Sequence, residues 1–217
     1  MASPETVTLS PELARHDSDE FRRRLVYGLG ENSTFGIPLW NATAKAGVAS
    51  YAEIHVTPNS WVSRSNSGTG KIFVGTQPMP QATRDKLIFD DKNHSYTDEV
   101  THRFLHEVAH GFVFANKERQ GVGTLLEVAR KVRSESENLG LTAIGSLAFY
   151  NSDARPGEDA AELIAMYTFN PDRFQSYVHF LGSSTGRAER ARVGIAEVAS
   201  ADSLVGIVEN ALVDGLR

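Results

Sequence analysis

Cysteine is absent from the 217 residues, and that removes two classes of site at once. No disulfide can staple the fold, and no thiolate can bind a metal, so any metal must sit on His, Asp or Glu. Long apolar runs are missing too, and nothing approaches the roughly 18 to 20 residues needed to span a bilayer. Excess positive charge is also lacking. The formal net charge is −5, with basic residues scattered along the chain, which leaves no electrostatic footprint for nucleic acid or an anionic membrane. The opening "MASPETVTLSPELARHDSDE" shows no basic stretch followed by an apolar one. No ordinary secretory leader is expected, and the compartment stays open, cytoplasmic or exported by a non-classical route. The Asn-x-Ser/Thr matches at Asn32, Asn41 and Asn93 are accordingly read as chance. What is present is ordinary globular composition, 41% apolar and 23% charged, with length enough for a sizeable core.

Residues 1–17 are polar and punctuated by proline, and a loosely ordered arm is expected there, with 18–217 forming a single domain. "SDEFRRRLVYGLGE" reads as a short helix capped by Ser18. "ASYAEIHVTP", "KIFVG" and "KLIFD" read as strands, short and rich in β-formers between Pro, Gly, Asn and Asp. "NSWVSRSNSGTG" between the first two reads as a long turn or hairpin loop. Its tail glances at a phosphate loop, but Ser65 stands where the first Gly is needed and Ile72 where a hydroxyl must reach magnesium. Beyond Asp91 the apolar period becomes about 3.6. Helices are expected over about 97–118, 121–138, 158–168, 171–182, 186–199 and 202–215. Strands first and helices after, without βαβ alternation, give an α+β fold: a small, mostly antiparallel N-terminal sheet on a central helix, with a helical C-terminal half.

The central helix carries "THRFLHEVAHGF". At about 100° per residue, Val100, Phe104, Leu105, Val108 and Phe112 gather on one side, with His102, His106 and His110 opposite. His106 and His110 lie one turn apart, so their imidazoles can offer nitrogens to one ion about 2 Å away. Glu107, beside them, is placed to accept a proton from water at such an ion. "HEVAH" thus fits the H-E-x-x-H metallopeptidase pattern. The alternatives are a non-catalytic structural or interaction protein whose HEVAH is a polar helix face, or a metal-binding inactive relative. For His102 a solvated surface position is the simpler expectation, and contact with substrate or with a carboxylate behind the ligands is the alternative.

Two His ligands leave a catalytic zinc one protein ligand short. The metzincin extension wants Gly and His where this chain has Val113 and Asn116, so that class is excluded. Downstream, "RPGEDAAELIAMY" opens a helix at Pro156, with Glu158 and Glu162 on one face and Ala160, Ala161 and Ala165 small enough for close packing. Taken alone, Glu158 also fits a favourable first-turn carboxylate, and Asp159 competes with it as a ligand.

"HEVAH" followed by the later helix "EDAAE" resembles the gluzincin metallopeptidases. "FYNSDARPGEDAAELIAMYTFNPDRF" is similar to the region after the active-site helix in the anthrax lethal factor family, and the resemblance covers about residues 97–182. It implies a zincin-like fold and about one zinc per chain, held by His106, His110 and Glu158. It further implies Glu107 as general base and acid, Glu162 orienting a ligand His from behind, and Tyr150 helping to stabilise the oxyanion. Tyr150 fits a core or rim aromatic equally well. The implied activity is a zinc-dependent endopeptidase whose peptide or protein substrate lies extended along an edge strand, "KIFVGT" or "KLIFD". Another zinc hydrolase is the minor alternative, since a zinc site alone does not dictate an amide substrate.

Overall fold

A computed structural model describes residues 8–9, 53–57, 59–66, 71–78, 80–84, 96–136, 156–169, 174–175, 179, 183 and 201–217. In chain order these form strands β1 (Thr8–Leu9), β2 (Glu53–Thr57), β3 (Arg64–Asn66) and β4 (Lys71–Gly75). Helices α1 (Gln81–Arg84), α2 (Tyr96–Asn116), α3 (Gln120–Ser136), α4 (Pro156–Phe169) and α5 (Ala201–Leu216) follow. Strands before helices agree with the α+β expectation in its general form. The helices expected near residues 18–30 and over 186–199, the strand "KLIFD" and most of the helix expected over 171–182 lie outside the described residues. β1 falls within the segment expected as an arm and pairs with β2.

The sheet order is β1-β2-β4-β3, and it corrects the mostly antiparallel expectation. Among the described strands, β1 with β2 and β2 with β4 are parallel, and β3 with β4 is antiparallel. The reason is β3. The Ser- and Asn-rich stretch expected as a loop folds into an extra strand at the edge, and β4 returns between it and β2, running the same way as β2. "KIFVGT", one of the two candidate edge strands, is therefore an interior strand, and β3 is the edge beside it among the described residues.

Alternation along β4 sends Ile72 and Val74 to full burial on one face. The other face carries a row in register: His55 stacks on Phe73 at 4.9 Å, and the Arg64 guanidinium lies 4.7 Å above the same ring. The loop from β2 to β3 closes over the end of β4. There the Gly75 N–H donates to Ser63 Oγ at 3.0 Å and the Gln77 N–H to Ser60 O at 2.9 Å. A Cβ at Gly75 would stand 2.6–2.8 Å from the backbone of Ser60, Trp61 and Val62, so only glycine lets the loop pass. The buried Arg103 guanidinium then straps α2 to this corner, donating to Gly75 O at 3.0 Å and Gln77 O at 2.7 Å. Arg103 and Glu107 are one turn apart, so the strap also sets the roll that turns Glu107 towards β3.

α2 is buried on its apolar wall and on its polar flank alike, with Phe104, Leu105, Val108 and Phe112 inaccessible to solvent. The polar flank meets α4, where Pro156 opens the helix and Ala160, Ala161 and Ala165 are fully buried, so that the two backbones approach closely. α3 and α5 pack together behind them. Gly121 sits where these helices cross, and a Cβ there would meet the Asn210 carbonyl oxygen at 2.7 Å. The Gly121 N–H donates to Asp214 Oδ2 at 2.9 Å, giving α3 an anionic partner at its positive end. On the far side, the Tyr167 hydroxyl donates to Glu209 Oε1 at 2.6 Å and ties α4 to α5. Partial burial and the Glu209 carboxylate push that phenol up to about 12.

Gly121→Ala is expected to destabilise the fold by about 1–3 kcal/mol through overpacking, although Ala is the better helix former by about 1 kcal/mol. Urea unfolding measures the sign. A more stable variant would contradict the close crossing. None of the described helices is long and apolar enough to cross a membrane.

Candidate metal centre

Two helical periodicities build the site. α2 offers His102, His106 and His110 at successive turns, and α4 lays Glu158 and Glu162 across them, one turn apart. The result is a ladder in which each carboxylate meets two imidazoles. Glu162 Oε1 accepts from His102 Nε2 and Glu162 Oε2 from His106 Nδ1, both at 3.0 Å. Glu158 Oε2 lies 2.9 Å from His110 Nε2 and 3.3 Å from His106 Nε2. The two Nε2 atoms are 3.0 Å apart, with the rings edge to face at 84°.

Burial grades along the ladder. The His110 and Glu158 side chains are 22% and 19% exposed and form its mouth, whereas His102 and Glu162 are each 1% exposed at its blind end. This burial overturns the solvated position expected for His102. Its partner lies 60 residues away on another helix.

Do these residues fit a metal ion? Because the Nδ1–H of His106 is committed to Glu162, Nε2 is the nitrogen that faces His110 and Glu158, and it offers a lone pair there once its proton has left, as a ligating imidazole requires. The three converging atoms are 2.9–3.3 Å from one another. Ligands held by a tetrahedral zinc stand about 3.3 Å apart. His106, His110 and Glu158 thus form a group able to hold a metal ion. Glu158 reaches the His pair, and the Asp159 side chain lies outside the described residues. So does Tyr150.

Electrostatics bind the cluster together. Burial works against the His106 imidazolium, but hydrogen bonds to Glu158 and Glu162 outweigh it and lift the group to about 10. Burial likewise opposes ionisation of both carboxylates. The imidazoles overcome it and hold Glu158 and Glu162 below the ordinary range. Glu107 goes the other way. Burial dominates and raises its carboxyl, offset in part by His106, His110 and a hydrogen bond from Ser65.

No match. Neither the protein-family models, nor the curated proteins, nor the solved structures contain a counterpart that the chain matches. Ser65 is a contributor that sequence reasoning missed, because the stretch around it looked like a flexible loop rather than a strand.

A pH dependence follows with a definite sign. In the metal-free protein His106 keeps its proton up to about pH 10, against an ordinary 6.5. That proton favours the metal-free form and must leave before Nε2 can ligate. Apparent zinc affinity is expected to rise about tenfold per pH unit between pH 6 and 8, with about one proton released. Titration calorimetry in buffers of different ionisation enthalpy checks both, and a flat affinity would be inconsistent with the carboxylate-clamped His106.

Proposed function

We propose that the chain is a zinc-dependent endopeptidase. The observation that carries this reading is the convergence of His106, His110 and Glu158, with Glu107 one residue along α2 and Glu162 behind His106. Two imidazoles and one carboxylate suit a catalytic zinc, which keeps a fourth position open. When bound, such an ion supplies Lewis acidity toward a carbonyl oxygen and acidifies a coordinated water.

The chain's own residues would do the rest. Glu107, its carboxyl raised by burial, takes a proton from the attacking water as the water oxygen bonds to the scissile carbonyl carbon. The C–N bond then breaks, and Glu107 returns the proton to the leaving amine nitrogen. Glu162 holds the His106 ring and tautomer. Support for a peptide substrate comes from β3, a sheet edge among the described residues whose Ser65 hydrogen-bonds to Glu107. An extended peptide adding to that edge would bring its backbone alongside the general base.

Dialysis against a chelator is expected to abolish cleavage of an unbiased peptide mixture, and added zinc to restore it. Cleavage that survives complete metal removal would rule out the mechanism. Zinc binding without cleavage of any peptide would favour the metal-binding inactive relative.

A further inference from the structure

With His106, His110 and Glu158 as ligands and Glu107 moving protons, one histidine of the ladder has no part. His102 is nevertheless 1% exposed. A buried imidazole costs free energy unless it is hydrogen-bonded, and an aliphatic side chain would fill the same space without that cost. The use of His102 lies in its contact. Its Nε2 donates to Glu162 Oε1 at 3.0 Å, while the other oxygen of that carboxylate holds His106 Nδ1 at 3.0 Å.

A carboxylate bonded through one oxygen can still pivot about its last side-chain torsion. Two N–H donors on successive turns of one helix remove that freedom, because they fix both oxygens and hence the plane. Without His102, Glu162 Oε1 would be buried with this donor lost, and the carboxylate would gain by turning away from His106.

We propose that His102 is a positioning residue of the metal centre. It fixes Glu162, which fixes the His106 ring, so that His106 Nε2 is aimed at His110 and Glu158 before an ion arrives. The consequence for zinc rests on the metal reading given above, whereas the cause rests only on the chain His102–Glu162–His106. The two are separable by experiment.

In the metal-free protein, the buried Nδ1–H of His106 should give a slowly exchanging, downfield proton resonance. This signal would be followed in wild type, His102→Phe and His102→Gln, alongside zinc affinity measured by competition with a chromophoric chelator. The Gln side-chain amide reaches about as far as Nε2, and Phe keeps the ring without a donor. His102→Phe is expected to lose or broaden the resonance and to weaken zinc binding about 10- to 100-fold, and His102→Gln to recover most of both. If the Phe variant does not fold, His102→Asn repeats the test, its amide being too short to span the contact. A folded Phe or Asn variant that keeps the resonance and the wild-type affinity overturns the proposal. If wild type binds no zinc, the metal reading falls while the resonance still decides the positioning role: its loss supports it and its persistence overturns it.

Discussion

Glu107→Gln is expected to lower peptide hydrolysis by about 100- to 10,000-fold while leaving the metal content unchanged. Glu107 is not among the three converging donors, so an isosteric amide leaves the donor set intact. The same amide cannot take a proton. Burial dominates the environment of Glu107, and its carboxyl is raised, which makes the carboxylate a stronger base when ionised. Gln also keeps a group that can bond to Ser65, so the position of β3 should survive. Rates on a peptide library, with zinc determined on the same samples, check this. Activity near wild type would remove Glu107 from its role, and zinc lost together with activity would recast it as part of the donor set.

Glu162→Ala carries the second large effect, on stability and metal together. Glu162 is 1% exposed and is the bridge between His102 and His106. Removing one side of a buried ionic cluster costs about 3–5 kcal/mol, because the remaining partners stay buried and uncompensated. The loss of a carboxylate behind a ligating imidazole typically weakens metal binding about 10- to 100-fold. Glu162→Gln should do less of both, since the amide oxygen still accepts from one imidazole. Denaturant unfolding without metal, and zinc competition with it, report the two effects separately. An Ala variant as stable as wild type would mean that the ladder does not hold α4 against α2.

Much of this arrangement is legible in the sequence, for a physical reason. The His and Glu spacings are both helical, so each helix must present its chemistry as one face, and the bounds of α2, α3, α4 and α5 fall within about two residues of the expected helices. What local pattern does not encode is which face meets which. The Glu158–Glu162 face meeting the His face comes from the gluzincin resemblance and not from periodicity, and His102 is misjudged because nothing nearby reveals its distant partner. The sheet shows the same limit. β2 and β4 are evident from composition, but β3 is only Arg-Ser-Asn between turn formers and has no β-propensity to betray it. Its presence at the edge then reverses the expected strand pairing and supplies Ser65 to the site.

The most direct test of the central claim is the metal content of purified wild type, His106→Ala and Glu158→Ala by plasma emission. About one zinc per wild-type chain, sharply reduced in both folded variants, is the expected result. It would establish the helical pair and the distant carboxylate together. Wild type that carries no metal, and that added zinc neither binds nor stabilises against heat, would contradict the account and leave the ladder as a set of buried His–Glu ion pairs. Zinc lost with His106→Ala but kept with Glu158→Ala would leave a metal site with a different third ligand.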